Sequence, residues 1–153
     1  MPSVSPSPAS GSTRAKIVQA AIDAGKLAAG KPYMFGGKAP SGFDCSGFIA
    51  YVYHQVLPEF VYMDTAAIRK TGRFTEVKTA LSGDLIFFPK GKNPYEVKKG
   101  NQREFPDHVG ITLDRDTWIG SQSSTGVAQV HFSNPWWSPR PHIFLRYNGL
   151  APA

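Results

Sequence analysis

A glycine-rich turn runs directly into a helical apolar pattern, and the only cysteine of the chain lies at the junction. The turn covers residues 36–42, and the cysteine is Cys45, between Asp44 and Ser46. Apolar residues then recur at positions 48, 49, 52, 53 and 56, and Pro58 follows. This spacing predicts a helix from Cys45 to Leu57. A thiol at a helix start lies close to free backbone N–H groups, which favour the thiolate.

The order of the other elements predicts an α+β fold. A first helix is expected to begin at Ser12 or Thr13 and to end at Gly30, and a short third helix to cover residues 64–71. From residue 82 onward the pattern is that of strands, at residues 85–88, 108–113, 117–122, 127–132 and 143–147. Helices first and an antiparallel sheet afterwards are typical of the α+β class.

Two segments lack the periodicity of helices or strands. Residues 1–12 are rich in Pro and Ser and are predicted to be a disordered tail, which leaves residues 13–153 as a single domain. Residues 89–107 form a long polar insert. Loops longer than about 12–15 residues are usually functional lids or disordered, so we expect one of these for the insert.

His108 is the candidate base for the Cys45 thiol. It opens a strand in which His108, Gly110 and Thr112 share one face and the apolar residues 109, 111 and 113 share the other. If the histidine face meets the Cys45 helix, the imidazole can take the thiol proton. A lone cysteine is more often a small buried apolar residue, but polar neighbours on both sides favour a functional site here.

The next strand and the turn before Cys45 supply supporting groups. The strand register places Gln122 on a face with Trp118 and Gly120, and its amide oxygen can accept the imidazole N–H. The backbone N–H of Cys45 or Ser46 can stabilise an oxyanion, and the Tyr33 hydroxyl can add to it. The alternatives are a strand-end turn residue for Gln122 and a packed aromatic for Tyr33.

The other histidines and the charge pattern bear on which metals and partners the chain can bind. His54, His131 and His142 are interpreted as surface or packing residues, and the chain has no HExxH motif or paired Cys/His spacing, so no metal and no cofactor are expected. The net charge of +6 fits an anionic partner such as nucleic acid, a membrane surface or a cell-wall polymer, but the dispersed charges also fit a solvated surface. No apolar run approaches the roughly 18 residues that span a bilayer.

Four segments occur in an order that resembles a known family. They read PYMFGG at residues 32–37, GFDCSG at 42–47, GDLIFF at 83–88 and HVGI at 108–111. Together they resemble the signature blocks of the NlpC-type peptidases, papain-like cysteine peptidases of bacterial cell walls, over residues 14–147. The resemblance implies a papain-like α+β core in which the nucleophile, at a helix N-terminus, packs on an antiparallel sheet. It also implies hydrolysis of peptidoglycan stem peptides, commonly between D-glutamate and the diamino acid.

The resemblance also assigns roles by position. Cys45 would be the nucleophile, His108 the general base and Tyr33 a substrate or oxyanion contact, with Asp44 and Ser46 as neighbours at the helix start. Two departures stand out. Many members carry a histidine where this chain has Gly120, so Gln122 on the same strand face is our substitute. The insert at 89–107 is also long for the family, and is interpreted as a substrate-selecting lid or an inhibitor-binding loop.

The sequence thus favours a cysteine endopeptidase that acts on peptidoglycan, at the cell wall or in the periplasm of a target cell. Residues 1–12 lack the features of a signal peptide, so a specialised export route, as for antibacterial effectors or phage lysins, is expected. An effector of this kind would need an immunity protein as inhibitor.

Other functions remain open at this point. An amidase or acyltransferase can use the same Cys/His pair. A non-catalytic module can bind glycans by stacking on Trp118, Trp136 and Trp137. Nucleic-acid binding rests on net charge alone and is disfavoured.

Overall fold

The computed structural model describes residues 11–150, and within them the chain alternates helices and antiparallel strands. The helices are α1 (Thr13–Leu27), α2 (Cys45–Val56), α3 (Thr65–Lys70) and α4 (Pro94–Lys98). The strands are β1 (Lys38–Ala39), β2 (Gly42–Phe43), β3 (Phe74–Val77), β4 (Leu85–Phe88), β5 (His108–Thr112), β6 (Thr117–Gln122), β7 (Gly126–His131) and β8 (Ile143–Tyr147). The predicted α+β class is confirmed.

A six-stranded antiparallel sheet in the order β3-β8-β4-β5-β6-β7 forms the centre of the fold. The last strand, β8, lies between β3 and β4, whereas β4 to β7 follow one another in sequence. The predicted bounds of β4, β6 and β8 match the structure, β5 ends one residue earlier than predicted, and β7 begins and ends one residue earlier.

One edge strand, one hairpin and one helix were not predicted from the sequence. β3 is a half-exposed edge strand, and a two-residue hairpin joins β1 to β2. The helix is α4, which lies within the insert at 89–107, so this segment contains regular structure that its lack of periodicity did not indicate. Asn93 caps this helix by accepting the N–H of Tyr95 at 2.8 Å, and Pro94 occupies its first turn, a start signal visible in the sequence.

Both faces of the sheet are covered. Helices α1 and α2 pack on one face, where a core cluster includes Ile17, Phe48, Leu85, Phe87, Val109, Ile111 and Ile119. A second cluster on the opposite face contains Ile86, Phe88, Trp118, Val130 and Phe144, with Trp137 packed against it. Because β4 is buried on both faces, it is apolar at all four positions instead of alternating.

The start of α1 agrees with the sequence. Ser12 caps the helix, and its side chain accepts the N–H of Ala15 at 3.1 Å. Residues 1–10 of the predicted disordered tail lie outside the described residues, and Ser12, its last residue, has a defined capping role.

A buried aspartate ties three elements together. Asp84 is fully buried and lies just before β4. Its carboxylate pairs with Arg14 Nη1 from α1 and with Arg146 Nη2 from β8, each at 2.9 Å. The N–H of Leu81 also donates to Asp84 Oδ2, at 2.8 Å. These contacts satisfy the buried charge, and they fix the first helix and the last strand to the centre of the sheet.

We expect Asp84→Asn to destabilise the fold by about 3–5 kcal/mol, because it leaves buried Arg14 without its counter-charge. Chemical denaturation followed by circular dichroism measures this change in the free energy of unfolding. The matched control is Asp23→Asn, an exposed carboxylate on α1, for which a change within about 0.5 kcal/mol is expected. Equal unfolding midpoints for the two variants would contradict this role of Asp84.

Candidate active site

Asp44 determines where helix α2 begins. Its Oδ1 accepts the N–H of Gly47 at 2.6 Å, and its Oδ2 accepts the N–H of Gly36 at 3.0 Å. The backbone N–H of Asp44 donates to the carbonyl of Gly37 at 2.9 Å. One residue therefore caps the helix and anchors the preceding loop, so that Cys45 is held as the first residue of α2.

The loop and the helix start come so close that only glycine fits at the crossing. A Cβ atom at Gly47 would lie 1.9 Å from the carbonyl oxygen of Gly37. A Cβ atom at Gly37 would lie equally close, 1.9 Å, to the carbonyl oxygen of Gly42. The glycines around Cys45 thus serve a close approach of backbone to backbone.

Cys45 is a buried thiol. Burial raises the pKa of Cys45 to about 11, and the negative charge of Asp44 adds to the shift. The backbone N–H groups of Val109, Ser46 and Cys45 itself lower this pKa, but their effect is smaller. The expectation that the helix start would favour the thiolate was wrong for the free protein, because desolvation of the sulfur outweighs the helix N–H groups.

His108 is a buried, neutral imidazole at the start of β5. Its Nε2 lies 3.1 Å from Oε1 of Gln122. Burial lowers the pKa of His108 to about 4, the hydrogen bond to Gln122 opposes this shift, and the positive charge of Arg140 adds to it. Because an amide oxygen only accepts, Nε2 carries the proton in this arrangement and Nδ1 keeps its lone pair. The Gln122 Nε2 group lies 3.4 Å from the carbonyl of Ala128, which agrees with this orientation of the amide.

Aromatic rings surround the imidazole. Trp137 stacks on His108 with ring centroids 4.9 Å apart and an interplanar angle of 26°. Phe88 and Trp118 flank the same ring at 6.2 and 5.9 Å. Trp118 and Trp137 were expected from the sequence only as candidate glycan-stacking residues, but Trp118 is 1% exposed and cannot stack on a glycan. The role of Trp137 was missed, because it depends on contacts between residues distant in sequence.

The position of His108 relative to helix α2 differs from the one predicted from the sequence. Helix α2 packs on the face of β5 that carries Val109 and Ile111, and His108 lies with the rings on the opposite face. The hypothesis that the His108 face meets the helix was therefore wrong. Cys45 and His108 come together instead at the end of the sheet, where β5 begins and both residues line one cavity.

This cavity has a volume of about 590 Å³, within the usual range for ligand sites. Its walls come from Tyr33, Cys45, residues 103–108, residues 122–124, and Trp136, Trp137 and Arg140. Gln122 and Tyr33 thus lie in the cavity with Cys45 and His108. The side chains of Asp44 and Ser46 are not part of its lining; both are buried, and the carboxylate of Asp44 is engaged in the cap. Both residues flank Cys45 at the helix start, where the backbone N–H of Ser46 stays a predicted oxyanion donor.

Tyr33 is half-buried beside Cys45. Burial raises the pKa of Tyr33 to about 12, and the charges of Cys45 and Asp44 add to the shift. The phenol is therefore protonated at neutral pH, and its O–H is available as a hydrogen-bond donor next to the thiol.

The insert forms one wall of the cavity. Residues 103–107 line it, and the segment is closed by a backbone pair in which Gly91 and Phe105 exchange hydrogen bonds of 3.0 and 2.7 Å. Within residues 11–150, no cluster of His, Cys, Asp and Glu side chains is arranged to hold a metal ion. Over the same residues, no helix combines the length and apolarity needed to cross a bilayer.

Comparison with known sequences places these features in a family. A profile of the NlpC/P60 family matches residues 30–146. Over 110 residues the chain is 30% identical to a probable endopeptidase of Haemophilus influenzae, covering 72% of this chain and 62% of the relative. Over 134 residues it is 31% identical to the peptidoglycan DL-endopeptidase CwlO of Bacillus licheniformis, covering 82% of this chain and 27% of the relative. The chain spans less than two thirds of the length of these curated relatives.

A solved structure has the same fold. The NlpC/p60 domain of the peptidoglycan hydrolase SagA superposes with a TM-score of 0.56 at 29% identity, covering 82% of this chain and 96% of that domain. The predicted papain-like arrangement of helices on an antiparallel sheet is therefore confirmed. The resemblance inferred from the four sequence segments is confirmed as well, since the family profile covers most of the chain: it belongs to the NlpC/P60 family.

Proposed function

We propose that this protein is a cysteine endopeptidase that hydrolyses an amide bond in the stem peptides of peptidoglycan, between a D-glutamyl residue and the diamino acid. The observation that carries this proposal is that Cys45, at a helix start, and His108, hydrogen-bonded to Gln122, line one cavity. Membership of the NlpC/P60 family and the name of the CwlO relative support the substrate and the bond.

In the proposed reaction, His108 acts first as general base and then as general acid. Because burial keeps both the thiol and the imidazole neutral, the proton passes from Cys45 Sγ to His108 Nδ1 as the sulfur attacks the carbonyl carbon. The imidazolium then gives this proton to the leaving amine, the C–N bond breaks and a thioester forms. Water, deprotonated by the imidazole, hydrolyses the thioester, and the thiol is restored.

Oxyanion donors and a positioning residue support these steps. The backbone N–H of Cys45 or Ser46 and the protonated hydroxyl of Tyr33 are the donors we assign to the oxyanion. Gln122 is the positioning residue for the imidazole. Its amide oxygen accepts a hydrogen bond from the Nε2–H group, so Nδ1 is the nitrogen that acts as the base.

The alternatives differ in how well they fit the site. An amidase or acyltransferase would use the same pair, and the identity of the released fragments separates these reactions. Burial of Trp118 argues against a glycan-stacking module built on all three tryptophans. The effector role, the immunity protein and the export route stay predictions from the sequence.

We expect Cys45→Ala to abolish the release of peptide fragments from purified peptidoglycan sacculi, a loss of at least ~10³-fold, because no other group replaces the nucleophile. Mass spectrometry of the soluble fragments measures this and identifies the bond. Ends after D-glutamate are expected. Circular dichroism of the variant provides the folding control. Fragments released equally by the variant would contradict the assignment, and ends at the muramyl amide would favour the amidase.

The pH dependence should show the low pKa of His108. Protonation removes the base, so kcat/KM should fall as the pH decreases through about 4, with little loss between pH 7 and pH 5. Hydrolysis of a soluble stem peptide, measured at half-unit intervals with the fold checked at each pH, tests this. An acid limb centred at the ordinary histidine pKa of about 6.5 would contradict the buried, neutral imidazole.

Substitution of Gln122 tests the positioning role. Gln122→Glu places a carboxylate beside His108 Nε2, which favours the imidazolium and should move the acid limb of kcat/KM to higher pH. Gln122→Ala removes the acceptor and should lower kcat by about 10–100-fold with a smaller change in KM. A residue with only a packing role would give variants with an unchanged acid limb.

A further inference from the structure

Among residues 11–150, Arg140 is a buried arginine that forms no ion pair, and it lines the cavity. Arg140 is 4% exposed, and its Nη2 donates to the carbonyl of Pro106 at 2.6 Å. Its Nε is buried and has no hydrogen-bond partner, and none of the ion pairs among residues 11–150 includes Arg140. A buried cation with unused hydrogen-bond donors is unfavourable unless an anion neutralises its charge and accepts from these donors.

Aromatic rings hold the guanidinium in place without neutralising it. Its Cζ lies 5.2 Å from the ring centroid of Phe105, 5.4 Å from Trp137 and 5.7 Å from Phe88. The carboxylate of Asp107 acts on Arg140 electrostatically but forms no ion pair with it, and Asp107 Oδ1 accepts the N–H of Lys90 at 2.6 Å. The guanidinium is therefore held among rings with no ion pair, within the described part of the chain, to neutralise its positive charge, and the Arg140 side chain lines the cavity.

Arg140 lies on the His108 side of the cavity. Both side chains contact Trp137 and Phe88, and the charge of Arg140 acts on the imidazole. In the proposed reaction the imidazolium protonates the leaving amine, so the amino acid that carries this amine occupies the same side.

We propose that Arg140 is a specificity residue that binds a free carboxylate of the amino acid whose amine leaves. This inference rests on the proposed function and names the substrate class: peptides in which the diamino acid after the cleaved bond keeps an uncapped carboxylate. A guanidinium binds a carboxylate through two parallel N–H donors that reach both oxygens. A carboxamide has one oxygen and no negative charge, so it cannot form this pair.

The test compares two synthetic γ-D-glutamyl-diamino acid peptides that differ only in the leaving residue, which carries a free carboxylate or a carboxamide. The wild type should hydrolyse the carboxylate peptide with a kcat/KM about 10–100-fold higher, the range for a hydrogen bond to a charged group. In Arg140→Gln this ratio should fall towards one, and Arg140→Lys, which keeps the charge but not the fork, should retain part of it.

Arg103→Gln is the matched control. Arg103 also lines the cavity and lies near Phe105, with its Cζ 4.9 Å from the ring, but its side chain is exposed. The carboxylate preference should persist in this variant. A preference lost in Arg103→Gln and kept in Arg140→Gln would overturn the assignment.

A binding measurement separates this inference from the proposed function. Calorimetry with folded Cys45→Ala should give tighter binding of the carboxylate peptide than of the carboxamide peptide, and equal affinities would overturn carboxylate recognition whether or not Arg140→Gln folds. Equal hydrolysis of both peptides by the wild type would overturn this inference and leave the endopeptidase standing. Hydrolysis of neither, with preferential binding retained, would overturn the endopeptidase and support the anion site.

Discussion

The cap that Asp44 places on helix α2 is the interaction on which the site depends. One carboxylate receives the N–H of Gly47 from the helix and the N–H of Gly36 from the loop, so the two segments cannot move independently. The crossing of Gly37 and Gly47 leaves no room for a Cβ atom. The position of Cys45 follows from these backbone contacts, and the cavity is arranged around a thiol that is already fixed.

This cap has an electrostatic consequence for the thiol. The carboxylate that positions Cys45 also disfavours its ionised form, and burial acts in the same direction. The neighbouring imidazole is kept neutral by the rings of Phe88, Trp118 and Trp137 and by desolvation. The cavity thus holds a thiol and a base without charge separation, and a substrate that brings polar groups changes the environment of both.

Local patterns in the sequence predicted most of the helices and strands but not how they pack. The apolar spacing after Cys45 and the alternation around His108 predicted the helix and the strand, and the resemblance identified the fold. The alternation of side chains along β5 predicted which residues share a face, but it did not predict which face helix α2 covers. The stacking of Trp137 and the burial of Arg140 depend on contacts between residues distant in sequence. The short helix α4, in contrast, was predictable from the sequence, because Asn93 and Pro94 form a helix start signal.

The pairing of Asp84 with arginines from α1 and β8 brings together residues 14, 84 and 146, which are far apart in sequence. Strand β8 fills the place between β3 and β4, so β4 has an unpaired edge until residues 143–147 arrive. Folding of the sheet is therefore governed by a contact between residues far apart in sequence, which is slow to form. During synthesis, the sheet that carries His108 is therefore complete only after residues 143–147 have joined it.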